Sequence, residues 1–143
     1  IKAHQMPAPH IDQGRILASS GLRISLNDVS DGIASELNEI AEASQVMIHI
    51  DEEKIPASPL LAKYSKNEQV KHQLFGGEDY VLTGTVAADQ FEQLRLLFQQ
   101  HSLEIFEIDK VGEAGNAAVY LHRKENESPE LITKQGFNHF RER

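Results

Sequence analysis

The hydrophobic pattern changes its period across a short polar turn, and this change limits the chain to folds that mix helices with strands. Before the turn, Leu22, Ile24 and Leu26 alternate with other residues, which predicts a short strand. After it, apolar residues recur at helical spacing over residues 33–44, and alternation returns over residues 46–51. The glutamates at positions 36, 39 and 42 of the helical pattern are predicted to face water. The sequence therefore predicts a strand, a turn, a helix and a second strand in direct succession.

The remaining patterns continue this mixture of elements. Further helices are predicted over residues 12–20, 67–74 and 88–101, and further strands over residues 80–86, around 105–111 and over 117–122. Residues 51–64 hold two prolines and are predicted as a loop with one helical turn, and residues 123–130 as a polar loop. The expected fold is α+β, with helices packed on a mixed β-sheet.

The length and the opening residues of the chain set the expected domain organisation. A chain of 143 residues can bury one core but not two. Pro7 and Pro9 exclude a helix near the start and favour an extended segment, which opens with Ile1 rather than Met. We expect residues 1–12 to be a linker from a missing N-terminal domain, and residues 13–143 to form a single α+β domain.

Charge and composition argue against several classes of partner. The formal net charge of −8 opposes nonspecific nucleic-acid binding, which needs a basic face. The chain holds no cysteine, which is compatible with a reducing cytoplasm. It shows neither an apolar run of about 18 residues, the length needed to span a bilayer, nor a signal-peptide pattern. We expect a cytoplasmic protein that binds neither nucleic acid nor membrane.

The polar turn that opens the long helical pattern is the first candidate site. Residues 28–32 read Asp-Val-Ser-Asp-Gly, and the two aspartates are three positions apart, so they can face the same way. Clustered carboxylates repel each other unless a cation or proton neutralises them, and Mg²⁺ prefers such oxygen ligands. The alternative is helix capping, since Ser and Asp are preferred at helix N-termini. Taken alone, such a motif is more often a cap than a metal site.

Two more segments could carry chemistry. Residues 76–80 read Gly-Gly-Glu-Asp-Tyr, in which the glycines permit positive φ or a close approach and one carboxylate could face a ligand. A plain turn into a strand explains that segment as well. Residues 136–140 read Gly-Phe-Asn-His-Phe, an aromatic tail that either docks on the core or stacks on a ligand. His49 and His122 lie in strand patterns and are expected to be structural rather than metal ligands.

Taken together and in order, these segments resemble the C-terminal half of the bacterial thiamine-monophosphate kinase family. The resemblance covers nearly the whole chain and rests on Leu-Asn-Asp-Val-Ser-Asp-Gly-Ile-Ala-Ser-Glu-Leu at 26–37, Gly-Gly-Glu-Asp-Tyr-Val-Leu at 76–82 and the aromatic tail at 136–140. It implies a C-terminal domain of the aminoimidazole ribonucleotide synthetase-like type. It also implies a kinase that transfers the γ-phosphoryl group of ATP to thiamine monophosphate, forming thiamine diphosphate.

The resemblance also implies roles for five residues. Asp28 and Asp31 are expected to bind Mg²⁺, Ser30 to contact ATP, and Glu78 and Phe137 to contact the thiamine moiety. No catalytic residue is assigned. Most carboxylate ligands of Mg²⁺ are expected from the N-terminal domain, so the isolated piece would be inactive. The full-length protein is expected to be a homodimer. Two alternatives stay open: another ATP-dependent synthetase of the same superfamily, and a non-catalytic ligand-binding module.

Overall fold

A computed structural model describes residues 6–124 and 128–134 of the chain. The α-helices of these described residues are α1 (Ile11–Ser19), α2 (Ile33–Ser44), α3 (Lys66–Phe75) and α4 (Phe91–Gln100), with short 3₁₀ helices at Pro59–Lys63 and Ala88–Gln90. The strands of the described residues are β1 (Ile24–Asp28), β2 (Val46–Asp51), β3 (Leu82–Val86), β4 (Val111–Ala114), β5 (Ala118–His122) and β6 (Glu130–Ile132). These elements confirm the predicted α+β class.

The main sheet has four strands in the order β4-β2-β5-β6 and is mixed. β2 and β5 run parallel, with Met47 opposite Ala118 and Asp51 opposite His122, while β4 and β6 pair antiparallel on either side. A parallel pair needs a long crossover, and here the chain between β2 and β5 includes α3, β3, α4 and β4. The predicted mixed sheet is confirmed.

A separate two-stranded ribbon carries the first candidate site at one end. β1 and β3 pair antiparallel, from Ile24 opposite Val86 to Asp28 opposite Leu82. Gly84 lies opposite Leu26, and a Cβ on Gly84 would come within 2.1 Å of the Ser25 carbonyl oxygen. The ribbon backbones therefore approach each other at a distance that only glycine permits at this position.

Helix α2 connects the sheet to the ribbon. It contacts β2 and β5 of the sheet, β1 and β3 of the ribbon, and helix α3. Its buried residues join the central core, which also includes Ile48 and Ile50 of β2, Val119 and Leu121 of β5, and Val70 and Leu74 of α3. Fully burying one such aliphatic side chain contributes roughly 1.5–3 kcal/mol. The position of α2 is therefore set from both sides, and the turn preceding it is set with it.

Three details differ from the predicted elements. The strand expected around residues 105–111 begins only at Val111, although the main chain of residues 108–110 already bonds to β2, where the amide of Asp51 donates to the Ile108 carbonyl at 2.9 Å. β3 begins at Leu82 rather than residue 80, because Tyr80 adopts a φ of 52°. β6 was not predicted: it has three residues, of which only Ile132 is buried, too few to show alternation.

Within residues 6–124 and 128–134, none of the helices combines the length and the apolar character needed to cross a membrane.

Candidate functional site

Two sequence motifs meet at one end of the β1–β3 ribbon. We call residues 28–32 the aspartate loop and residues 76–80 the glycine-rich loop. The amide of Val29 donates to the Val81 carbonyl at 2.7 Å, and the amide of Tyr80 donates back to the Val29 carbonyl at 2.8 Å. The amide of Glu78 donates to the Ser30 carbonyl at 2.7 Å. The two segments singled out in the sequence thus form one backbone-bonded unit that continues the ribbon.

Glycine makes this approach possible at two positions. Gly32 has a φ of 99°, and a Cβ there would lie 2.9 Å from the Leu74 carbonyl oxygen and 3.1 Å from the Phe75 Cα. A Cβ on Gly77 would lie 3.0 Å from the Ser30 carbonyl oxygen. The aspartate loop therefore packs against the last turn of α3 and against the glycine-rich loop, where only backbone fits.

In the glycine-rich loop, the residues with positive φ are not the two glycines. Among the described glycines, Gly76 and Gly77 are not in the positive-φ region, whereas Glu78 has a φ of 65° and Tyr80 a φ of 52°. Left-handed backbone is unfavourable for residues with a Cβ and is kept where surrounding contacts enforce it. The amides of both residues donate to the aspartate loop, and these bonds hold the conformation.

Helix capping does not account for the aspartate loop. The N-cap residue of α2 is Gly32, and no side chain caps this helix. The interpretation of Asp28 and Asp31 as helix caps is therefore wrong. Both residues are exposed, and within the described part of the chain neither carboxylate has a hydrogen-bond or ion-pair partner. The loop backbone is thus held by hydrogen bonds, while the Asp28 and Asp31 carboxylates have no partner among the described residues.

A third carboxylate, that of Glu36 in the first turn of α2, lies beneath the loop. The helical pattern suggested that Glu36 faces water, but its exposed fraction is only 5%. Its Oε2 accepts a hydrogen bond from Asn27 Nδ2 at 2.5 Å, and its Oε1 lies 3.4 Å from the Asp31 amide and 3.5 Å from Ser30 Oγ. The expectation that Glu36 faces water is therefore wrong. Its side chain faces the aspartate loop, where hydrogen-bond donors replace those of water.

The surroundings of Glu36 raise its pKa above the ordinary value for a glutamate. Burial, the largest cause, raises the pKa of Glu36, and the hydrogen bond from the Asp31 amide opposes this rise. The neighbouring carboxylates of Glu39, Asp28 and Asp31 raise the pKa further. The same repulsion among carboxylates favours a cation close to this loop.

The second loop also presents acidic groups. Glu78 and Asp79 are exposed in the glycine-rich loop. Partial desolvation of the Asp79 carboxyl group raises its pKa. The structure thus brings Glu78 next to Ser30 through the loop–loop hydrogen bond. Phe137, the fifth predicted site residue, lies outside the described residues, as does the rest of the aromatic tail.

The donor chemistry of the aspartate loop suits a hard divalent cation but does not complete its shell. In residues 6–124 and 128–134, no three His, Cys, Asp or Glu side chains converge on one point as a metal cage would require. Asp28 and Asp31 offer carboxylate oxygens, the ligand type that Mg²⁺ takes, and Mg²⁺ commonly completes its shell with water and substrate phosphates. The described part of this chain could therefore contribute the Asp28 and Asp31 carboxylates to a Mg²⁺ site.

His49 and His122, which we expected to be structural, lie on adjacent strands and contact each other. Nδ1 of His49 is 2.8 Å from Nε2 of His122, so one ring nitrogen donates a hydrogen bond to the other. The ring of His49 also stacks on Tyr120, with 5.7 Å between ring centroids. The pair lies on β2 and β5, whereas the two loops extend the ribbon.

The sequence did not predict that Glu36 would be buried against the aspartate loop, although a signal was present. Ile33, Glu36 and Ile40 are spaced by three and four positions, so they share one face of the helix. Ile40 is buried on that face. A glutamate among apolar residues at helical spacing indicates a buried carboxylate that needs donors, and the preceding turn is where those donors are found.

The fold and the paired loops define a class of protein: an α+β domain that displays carboxylates on a backbone-locked loop at the end of a β-ribbon. Residues 1–122 match the family model described as AIR synthase related protein, C-terminal domain. The chain belongs to this family, as the resemblance implied.

Individual relatives are more specific. The thiamine-monophosphate kinase of Bacillus subtilis (strain 168) is 43% identical over 141 residues, which cover 99% of this chain and 42% of that protein. The chain thus spans about 42% of the length of the curated relatives it matches first. The expected resemblance to thiamine-monophosphate kinases is confirmed.

Solved structures agree with these sequence relatives. The crystal structure of thiamine-monophosphate kinase from Stenotrophomonas maltophilia K279a has a TM-score of 0.69 at 28% identity, covering 89% of this chain and 39% of that one. A structure described as AaThiL complexed with AMPPCP and TMP has a TM-score of 0.65 at 28% identity, covering 92% of this chain and 40% of that one.

Proposed function

We propose that this chain supplies part of the nucleotide and metal site of an ATP-dependent kinase that converts thiamine monophosphate to thiamine diphosphate. The observation that carries the proposal is the aspartate loop, fixed by hydrogen bonds to the glycine-rich loop while the carboxylates of Asp28 and Asp31 stay uncommitted within the described residues. The names of the sequence relatives, and the AMPPCP and TMP in the description of one similar structure, support the choice of substrates.

In this proposal, Asp28 and Asp31 are the residues of this chain that would hold Mg²⁺. A Mg²⁺ ion held there would supply positive charge that offsets the negative charge of the phosphate oxygens. Phosphoryl transfer depends on positioning and charge neutralisation rather than on covalent help. An acidic chain, with a net charge of −8, can therefore serve two phosphorylated substrates if cations accompany them.

The other site residues have roles in binding. Ser30 is only weakly engaged, with its Oγ 3.5 Å from Glu36 Oε1, so its hydroxyl can donate to an ATP phosphate oxygen instead. Glu78, bonded through its amide to the same loop, offers a carboxylate to the cationic thiazolium ring. An aromatic face such as that of Phe137 would also suit that cation. We further propose a cytoplasmic location and a homodimeric full-length protein.

The direct test is ATP-dependent formation of thiamine diphosphate by the full-length gene product. Asp28→Asn and Asp31→Asn should each lower kcat/KM by about two orders of magnitude, because a metal contributes several kcal/mol of charge stabilisation at about 1.4 kcal/mol per tenfold. The matched control is Asp89→Asn, which changes an exposed aspartate in the turn before α4 and should leave the rate unchanged.

Two rivals give different results in the same assay. Another synthetase of the superfamily would consume ATP with a different acceptor and leave thiamine monophosphate unchanged. A non-catalytic binding module would form no product with any acceptor. Either outcome in the wild-type protein would overturn the proposed kinase activity.

A further inference from the structure

Glu36 is the one buried charged side chain among residues 6–124 and 128–134. Taking a carboxylate out of water is unfavourable unless hydrogen bonds replace those of the solvent. A glutamate that served only to favour the N-terminus of α2 could do so from the surface, as acidic residues in first helical turns commonly do. Its burial therefore indicates an additional role.

The hydrogen bonds of Glu36 reach both ends of the aspartate loop. Oε2 accepts from the side chain of Asn27, immediately before Asp28, at 2.5 Å. Oε1 lies 3.4 Å from the backbone amide of Asp31 and 3.5 Å from the hydroxyl of Ser30. Each carboxylate oxygen is thus engaged, one at the start of the loop and the other at its end.

We propose that Glu36 is a positioning residue: it fixes the backbone on either side of Asp28 and Asp31 so that both aspartates present their carboxylates outward to the metal–nucleotide complex. Glu36 is not itself a ligand in this arrangement, because both of its oxygens are directed into the loop. The inference rests on the proposed function, and it adds a supporting residue that the metal-ligand assignment does not include.

The chain provides a matched control on the same helix. Glu39 lies one turn further along α2, is exposed, and reaches Asn27 only at 3.4 Å. It has the same ordinary charge and lies on the same helix, three positions after Glu36. A change that acted only through net charge or helix stability would appear in Glu39→Gln as well as in Glu36→Gln.

The substitution Glu36→Gln keeps the shape of the side chain and removes one acceptor. An amide offers one oxygen and one NH₂ group, so either the Asn27 side chain or the Asp31 amide would then face a donor. Residues that orient metal ligands typically change metal affinity by about 10- to 100-fold when replaced. Asn27→Ala removes the same contact from the other partner and serves as a second variant if Glu36→Gln does not fold.

The experiment titrates Mn²⁺, as a paramagnetic substitute for Mg²⁺, into the full-length gene product with a non-hydrolysable ATP analogue. Free Mn²⁺ is read by electron paramagnetic resonance. We expect Glu36→Gln to weaken Mn²⁺ binding about tenfold, Asn27→Ala to weaken it in the same direction, and Glu39→Gln to match the wild type. In the kinase assay, Glu36→Gln should raise the Mg²⁺ concentration for half-maximal rate and leave the KM for thiamine monophosphate unchanged.

The outcomes separate this inference from the proposed function. Equal Mn²⁺ affinity in Glu36→Gln and wild type, or equal weakening by Glu36→Gln and Glu39→Gln, would overturn the positioning role even if the enzyme makes thiamine diphosphate. A selective loss of Mn²⁺ affinity in a protein that makes no thiamine diphosphate would support the positioning role and overturn the kinase. A wild-type protein that binds no Mn²⁺ would overturn both.

Discussion

Single residues with left-handed backbone hold the two loops in place. Gly32 has a φ of 99°, and Glu78 and Tyr80 have φ values of 65° and 52°. For residues with a Cβ this conformation costs roughly 1–2 kcal/mol each, and such positions often lie at functional sites. Here all three lie in the aspartate loop and the glycine-rich loop, the two segments that carry the proposed ligand-binding side chains.

Gly32→Ala should destabilise the protein strongly. The new Cβ would meet the Leu74 carbonyl oxygen at 2.9 Å in a backbone conformation that alanine avoids. We expect a loss of about 2–4 kcal/mol in the free energy of unfolding, measured by chemical denaturation of the full-length gene product. Gly14→Ala is the control, since Gly14 lies inside α1 and a Cβ added there would meet open space. It should stabilise by about 0.5–1 kcal/mol, and an equal loss in both variants would contradict this account.

Glu78→Gln should affect the recognition of thiamine monophosphate without affecting the metal. A hydrogen bond or contact to a charged group contributes about 1.5–3 kcal/mol, so the KM for thiamine monophosphate should rise about tenfold or more. The Mg²⁺ dependence of the rate should not change. Steady-state kinetics at saturating ATP measures both, with the exposed Glu113→Gln as control. A changed Mg²⁺ requirement with an unchanged KM would assign Glu78 to the metal instead.

The sequence predicted which of these residues could carry chemistry, but it did not predict their surroundings. The spacing of Asp28 and Asp31 predicted a shared function, but it could not show that the helix N-cap would be Gly32. Propensity favours Ser and Asp as caps, and tertiary contacts overrode it, because the loop bonds to the glycine-rich loop instead. The burial of Glu36 likewise depends on donors brought by the loop.

At the scale of whole elements, packing of α2 against the core fixes the position of the aspartate loop that precedes it. It contacts both the sheet and the ribbon, and its buried face includes Leu37 and Ile40. The strand–turn–helix–strand succession of residues 22–51 was predictable because each element has a clear period of its own. β6 was not, because three residues show no periodicity and its place depends on pairing with β5.

Helix α3 carries a capping box that makes stability depend on pH. The hydroxyl of Ser65 accepts from the Glu68 amide, and the Glu68 carboxylate accepts from the Ser65 amide at 2.9 Å. The hydrogen bond from the Ser65 side chain, followed by that from its amide, lowers the pKa of Glu68 below its ordinary value of 4.5. A lowered folded-state pKa stabilises the protein above about pH 4.5, and this stabilisation is lost as the pH falls through the folded-state pKa.

Ser65→Ala should therefore cost about 1 kcal/mol of unfolding free energy at neutral pH, and the difference from wild type should shrink as the solution becomes more acidic. Urea unfolding at a series of pH values measures it. Ser19→Ala, which removes a hydroxyl bonded only to a carbonyl of its own helix, should show a difference independent of pH. A Ser65→Ala difference that grew towards acid would contradict the capping-box account.

At the scale of the whole molecule, the two aspartates would supply only part of the metal shell that we propose. The chain covers about 42% of the length of its first curated relatives, and its described residues hold no cluster of three metal-ligating groups. We predict that these 143 residues alone form negligible thiamine diphosphate from ATP and thiamine monophosphate. A chromatographic assay against the full-length gene product checks this, and comparable turnover by the two would contradict it.

The central claim is that the aspartate loop binds a metal–nucleotide complex. Calorimetric titration of the full-length gene product with Mg-ATP, comparing wild type with Asp28→Asn, tests it most directly. The account predicts that Asp28→Asn weakens the affinity at least tenfold, since about 1.4 kcal/mol of lost interaction suffices for that change. An unchanged affinity in a variant with unchanged thermal stability would contradict the claim.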